Sequence, residues 1–110
     1  MKNSDKISKI VFLDDNQALT MAWEMAAKNL GKEIVTFNTV SDFMNNFDKY
    51  DLSSVFYLDV ELENGQKGSD VAKILYEKGY RNIYLATGYP KSHFGDVPWV
   101  KGIVGKEPHF

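Results

Sequence analysis

The sequence predicts an α/β fold, a doubly wound parallel sheet with helices on both faces and right-handed crossovers. Three observations carry this expectation. Short β-branched or apolar runs alternate with segments whose apolar residues recur at helical spacing. One run, Val55-Phe56-Tyr57-Leu58, is apolar on both of its faces, as a central strand covered from both sides requires. The 110 residues suit one domain with one core, residues 1–110, and hold no internal repeat, linker or low-complexity tract.

The elements follow in order along the chain. Ile7 to Leu13 reads as a strand ending in Asp14-Asp15. Asn16 is placed to cap a helix in which Leu19, Ala22, Trp23, Ala26 and Leu30 recur, with Gly31 past its end. Ile34 to Phe37 is a short second strand. Thr39, with Asp42 three residues on, resembles a capping pair, and Val40, Phe43, Met44 and Phe47 form the stripe of the next helix. The third strand, Val55 to Leu58, ends at Asp59, and a polar loop runs from Val60 to Lys67. Gly68-Ser69 opens a helix with Val71, Ile74 and Leu75 inward, closed by Gly79. Ile83 to Ala86 is a fourth strand ending at Thr87-Gly88. Between Tyr89 and Pro98, the residues Pro90, Gly95 and Pro98 leave space for about one helical turn. Val100 to Val104 reads as a weaker fifth strand, interrupted by Gly102 and followed by Gly105-Lys106.

Composition excludes several functions. The net charge is −2 and the basic residues are scattered, so neither a nucleic-acid surface nor an anionic membrane is indicated as partner. There is no cysteine, which excludes disulfides, thiolate catalysis and Cys-based zinc sites. No apolar run approaches the ~20 residues of a membrane span. Met1 to Lys6 lacks the apolar core of a secretory signal, and the expectation is a soluble, cytoplasmic chain.

The informative residues are Asp14, Asp15, Asp59, Thr87 and Lys106, each at or just past a strand end. In an open parallel sheet, ligands bind outside the carboxyl ends of the strands. Carboxylates gathered there cannot all stay ionised unless a cation neutralises them. Magnesium suits such a site, taking oxygen ligands and retaining waters beside phosphate oxygens. Lys106 offers a point charge for Asp59 or for a phosphoryl oxygen. Thr87 offers a hydroxyl to a second oxygen, and Gly88 leaves space beside it. Asp59, on the central strand, is the natural nucleophile, since a carboxylate can take a phosphoryl group covalently.

At these residues the chain resembles the response-regulator receiver domains of two-component signalling. The resemblance rests on Phe12-Leu13-Asp14-Asp15-Asn16, Tyr57-Leu58-Asp59-Val60, Gly68 nine positions later, Thr87-Gly88 and Lys106, and runs from Lys6 to about Lys106. It implies a flavodoxin-like fold with strand order 2-1-3-4-5. It also implies Asp59 as phospho-acceptor, with Asp14, Asp15, Asp59 and the backbone carbonyl of Glu61 holding Mg2+. Thr87 and Lys106 then bind the phosphoryl oxygens. The implied donor is a histidine kinase or histidine phosphotransfer protein. Such a domain catalyses only its own phosphorylation and dephosphorylation, acting as a stand-alone response regulator or a relay. Glu61 and Tyr89 occupy positions that flank the attacking water, so the bulk of Tyr89 predicts slow loss of the phosphoryl group.

The chain departs from that family's pattern in four places. Only Glu107-Pro108-His109-Phe110 follow Lys106 where a fifth helix belongs, and the fourth helix is reduced to a turn. The fifth helix is thus expected to be absent, leaving part of one sheet face and one flank of the first helix for a second copy or another partner. Ile103 stands where an aromatic switch residue is common, and Glu107 separates Lys106 from Pro108, so a trans Lys106–Glu107 bond is expected.

Two other classes compete. A pseudo-receiver would keep the fold as an interaction module and lose phosphotransfer. A phosphatase with an aspartate nucleophile is disfavoured, because its acids are spaced Asp-x-Asp on the first strand and the chain has no length for a cap. Trp23, Met44, Phe47 and Trp99 read as packing residues, and His93 and His109 as lying outside any metal site.

Overall fold

The computed structural model describes residues 7–108 and 110. Met1 to Lys6 and His109, and with them the start of the motif-bearing stretch, lie outside the described residues. Five strands, β1 (Ile10–Leu13), β2 (Ile34–Phe37), β3 (Val55–Asp59), β4 (Ile83–Ala86) and β5 (Gly102–Val104), form one sheet in the order β2-β1-β3-β4-β5. Every pairing is parallel. Leu13 lies opposite Leu58, Asp59 opposite Ala86, and Ala86 opposite Val104, so the carboxyl ends of four strands meet at one edge.

Three α-helices cover the sheet: α1 (Gln17–Asn29), α2 (Val40–Met44) and α3 (Gly68–Glu77). The caps are those the sequence indicates. The Asn16 carboxamide oxygen accepts from the Leu19 N–H, and the Thr39 hydroxyl accepts from the Asp42 N–H. Gly31 and Gly79 take positive φ of 68° and 105° just past α1 and α3, a conformation open to glycine without cost.

One face of the sheet packs against α2 and α3. Val11, Leu13, Phe43, Phe56, Leu58, Leu75, Ile83 and Leu85 are buried in this cluster. Tyr80 joins it, and its hydroxyl donates to the carbonyls of Phe47 and Tyr50 at 3.2 and 2.7 Å. The other face packs against α1 through a smaller aromatic cluster of Phe12, Trp23 and Tyr57. Trp23 stacks on Phe12 with ring centroids 3.9 Å apart, and Phe110 meets its edge at 5.7 Å.

Three boundaries and the facing of one residue differ from the sequence expectation. β1 begins at Ile10, because the Lys9 N–H donates to the Ser54 hydroxyl and Ile7 pairs separately with Tyr50. α2 ends at Met44 and Phe47 sits in a separate 3-10 turn (Phe47–Lys49). The Asn46 side chain there bonds the Asp42 carbonyl, competing with the helix. Ile74 lies on the flank of α3, 36% exposed, while Gly68, Val71, Ala72 and Leu75 face inward. β5 starts at Gly102, since the Val100 N–H is already taken by the Val97 carbonyl in a turn through Pro98 and Trp99. The stretch between β4 and β5 holds a single 3-10 turn (Lys91–His93), and among the described residues no helix follows β5.

Candidate functional site: a carboxylate and lysine cluster at the sheet edge

Asp14 leaves the end of β1 and is 1% exposed. A buried carboxylate is costly unless both oxygens are satisfied. Here one oxygen accepts from the Asn16 N–H at 2.8 Å and the other from the Lys106 ammonium at 2.5 Å. Its backbone is held as well: the Asp14 N–H bonds the Phe37 carbonyl, and the Asn38 carboxamide donates to the Asp14 carbonyl and to the Thr20 hydroxyl. Asp15, the next residue, is exposed. Asp59, at the end of β3, accepts from Lys106 at 2.7 Å. The carboxylates of Asp14, Asp15 and Asp59 each bring an oxygen within 4.8 Å of the others.

Lys106 thus joins two carboxylates from different strands. Burial pushes the Asp59 carboxyl above its ordinary value of 3.8; the Lys106 hydrogen bond opposes this, and the charges of Asp14 and Asp15 add to it. For Lys106, burial acts downward, but the hydrogen bonds to Asp14 and Asp59 and their charges outweigh it, leaving the ammonium above 10.5. One cation against three acids leaves negative charge in a half-enclosed space.

The remaining predicted residues surround this centre. Thr87 is buried at the end of β4, one residue past the Ala86 that faces Asp59. Its hydroxyl oxygen accepts from the Tyr89 N–H at 3.0 Å, and its proton is free to donate elsewhere. A cavity of about 470 Å³ opens here between Thr87, Gly88, Ile103, Lys106 and Glu107. Glu61 is exposed and lies opposite Lys67 in a single antiparallel bridge. The bonds of that bridge run from the Gly68 N–H to the Val60 carbonyl and from the Leu62 N–H to the Gln66 carbonyl. Glu61 and Lys67 therefore form a non-hydrogen-bonded pair, and the ladder leaves the Glu61 carbonyl unused. Tyr89 is 47% exposed and stacks on His93, ring centroids 4.5 Å apart. No peptide bond among the described residues is cis, Lys106–Glu107 included.

Gly68 has a physical reason that sequence spacing alone does not supply. A Cβ at that position would lie 2.1 Å from the Asp59 carbonyl oxygen, so only glycine lets α3 start against the end of β3. Two further residues escaped the sequence reading. Asn38 holds the Asp14 backbone, and a lone polar residue after a strand carries no signal of that. Trp23 reads as core, which it is, yet its indole N–H donates to the Lys106 carbonyl at 2.8 Å.

The donor set is all oxygen and carboxylate-rich, with an unused backbone carbonyl nearby, which fits a hard divalent cation such as magnesium. No family model matches the sequence, and no curated protein matches it. Solved structures do match in fold. A CheY-like response regulator receiver domain protein from Methanospirillum hungatei JF-1 is similar at 16% identity over 94% of this chain and 85% of that one, with a TM-score of 0.74. The BeF3-activated conformation of SdrG from Pseudomonas melonis Fr1 is similar at 23% identity over 93% and 86%, with a TM-score of 0.72. The BeF3-activated receiver domain of DrrB gives 21% identity over 91% and 85%, with a TM-score of 0.71. The fold is that of the response-regulator receiver domains. Strand order 2-1-3-4-5, expected from the resemblance in the motifs, is the order found. Among the described residues, no helix is long and apolar enough to cross a membrane.

Proposed function

We propose that this chain is a phospho-accepting signalling domain that takes a phosphoryl group onto Asp59. The observation that carries this reading is the Lys106 ammonium joining Asp59 and Asp14 at the carboxyl edge of a receiver-type sheet. A carboxylate oxygen of Asp59 attacks phosphorus, the P–N bond of a phosphohistidine donor breaks, and the imidazole leaves. Lys106 and the Thr87 hydroxyl meet the phosphoryl oxygens, so that charge is neutralised as the group arrives. Asp14, Asp15, Asp59 and the Glu61 carbonyl would hold Mg2+, which supplies Lewis-acid neutralisation of the phosphoryl charge. Asp15 is the acid most open to it, because both Asp14 oxygens already have partners.

The donor on this reading is a histidine kinase or a histidine phosphotransfer protein, and the domain acts as a cytoplasmic regulator or relay. It turns over no separate substrate. Tyr89, which lines the cavity beside Thr87 and Lys106, and Glu61 would by the resemblance govern access of water to the acyl phosphate. A second copy or another partner would cover the sheet face beside α1.

A second reading, a pseudo-receiver that binds partners without phosphotransfer, is favoured by two features: each Asp14 oxygen already has a hydrogen-bond partner, and Glu107 rather than proline follows Lys106. One experiment separates the two. The intact mass is measured after incubation with acetyl phosphate, with and without Mg2+, beside the Asp59→Asn protein. Phospho-acceptance predicts a magnesium-dependent gain of one phosphoryl group that the variant lacks. No gain from acetyl phosphate or from phosphohistidine donors, with Mg2+ bound, would leave the pseudo-receiver standing.

A further inference from the structure

Trp23 reaches the backbone of the lysine in the carboxylate cluster, although it belongs to α1 and to the aromatic core. Its ring is fully buried and stacks on Phe12, 3.9 Å between centroids. Its edge meets Tyr57 at 5.2 Å. Phe12 and Tyr57 each stand two residues before a site carboxylate, Asp14 and Asp59, on the same face of their strands. The indole N–H then donates to the carbonyl of Lys106 at 2.8 Å, across 83 residues of sequence. One rigid side chain therefore touches the strands that carry both acids and the backbone of the lysine that joins them.

The lysine needs such a hold. Glu107 rather than proline follows it, so no ring fixes the backbone on that side. β5 is only three residues long, and the described chain after it is without regular structure. The lysine stem carries four rotatable bonds, and a mobile backbone end would add its own entropy to what holding the ammonium must overcome. A buried indole N–H needs an acceptor, so this hydrogen bond is formed at little cost to either group.

We propose that Trp23 is a positioning residue for Lys106: its indole N–H fixes the lysine backbone so that the ammonium is presented between Asp14 and Asp59. This rests on the reading of Asp59 as phospho-acceptor for its consequence, but not for its geometry. Without that hydrogen bond the fold persists through ring stacking, Lys106 samples other positions, and the phosphoryl group is received more slowly.

The test replaces the donor and keeps the shape. In a Trp99→Phe background, Trp23 is substituted biosynthetically by the analogue whose ring N–H is a sulfur atom. Trp23→Phe provides a genetically encoded second variant. Two quantities are read: the rate of phosphorylation by acetyl phosphate with Mg2+, and the mobility of the Lys106 side chain by 13C relaxation at its ε-carbon. The expected result for the sulfur analogue is a folded protein whose thermal unfolding falls only by the loss of one hydrogen bond, a more mobile Lys106, and a rate about five- to tenfold lower. A phosphorylation rate and Lys106 mobility equal to those of the Trp99→Phe parent overturn the proposal. If that parent accepts no phosphoryl group, the phospho-acceptor reading is what has failed, and Lys106 mobility alone decides the role of Trp23.

Discussion

The face of the sheet under α2 and α3 and the face under α1 are built from different materials. The first is mainly aliphatic, with Leu13, Leu58, Leu75, Ile83 and Leu85 buried around Phe43 and Phe56. The second has fewer fully buried side chains and is dominated by rings: Phe12, Trp23 and Tyr57, with Tyr84 and Phe110 partly buried around them. Aliphatic packing is nearly free of polar demands and supplies stability by burial. Aromatic side chains with an N–H or O–H bring a polar end that needs a partner. One face chiefly holds the molecule together, while the other also reaches the carboxylate cluster, through the Trp23 bond to Lys106.

The largest expected effect breaks the first face. Phe56 is fully buried and meets Tyr80 and Phe43 at ring distances of 5.0 and 6.0 Å. Phe56→Ala is expected to cost about 3–5 kcal/mol in denaturant unfolding. Tyr84 on the other face stacks on Tyr57 but is only partly buried, and Tyr84→Ala should cost under about 2 kcal/mol. Equal losses for the two would mean that the faces share the burden and the contrast is wrong.

A smaller but sharper effect is expected at the point where the first face touches the site. Gly68→Ala forces α3 away from the Asp59 carbonyl, at a cost of about 1–3 kcal/mol. Because the strain falls on Asp59, the proposed phospho-acceptor and magnesium ligand, Mg2+ titration of the variant should on that reading also show weakened binding. A variant as stable as the parent, with the same affinity, would show that the close approach relaxes without consequence.

The smallest effect concerns charge. Burial raises the Asp59 carboxyl in the folded chain, so the folded state binds this proton more tightly than the unfolded one. Stability linked to Asp59 is then full below the ordinary carboxylate value of 3.8 and is lost as pH rises through the raised value. Asp59→Asn removes that loss. In EDTA at neutral pH the variant should melt at or above the parent, and the gap should close as the solution is acidified. A variant less stable at neutral pH would indicate that the Lys106 bond to Asp59 outweighs burial.

Much of this molecule is legible in its sequence, for reasons that can be named. Val55 to Leu58 has no polar face, so it can only be central. Thr39, Gly31 and Gly79 are cap residues whose chemistry matches their backbone. Asp14, Asp59, Thr87 and Lys106 stand where apolar runs stop, and parallel strands in register bring those stops to one edge. Other features lie beyond local pattern. The start of β5 depends on a turn between Val97 and Val100, and the end of α2 on one Asn side chain. Trp23 shows the limit most clearly. A ring on an apolar stripe looks the same whether its N–H meets a carbonyl of its own helix or one 83 residues away.

The single bridge between Glu61 and Lys67 bears on how the loop after Asp59 can change length. Its two flanking bonds close the loop from Leu62 to Gln66 into a small lobe with its own turn at Asn64 and Gly65, both at positive φ. Residues added inside that lobe lengthen the turn and leave Glu61 facing as before. A residue added between Asp59 and Glu61 does the opposite, since each step along extended chain reverses the direction of the carbonyl. Length variation among descendants of this sequence is therefore expected at Asn64 and Gly65, and the spacing from Asp59 to Glu61 is expected to stay unaltered.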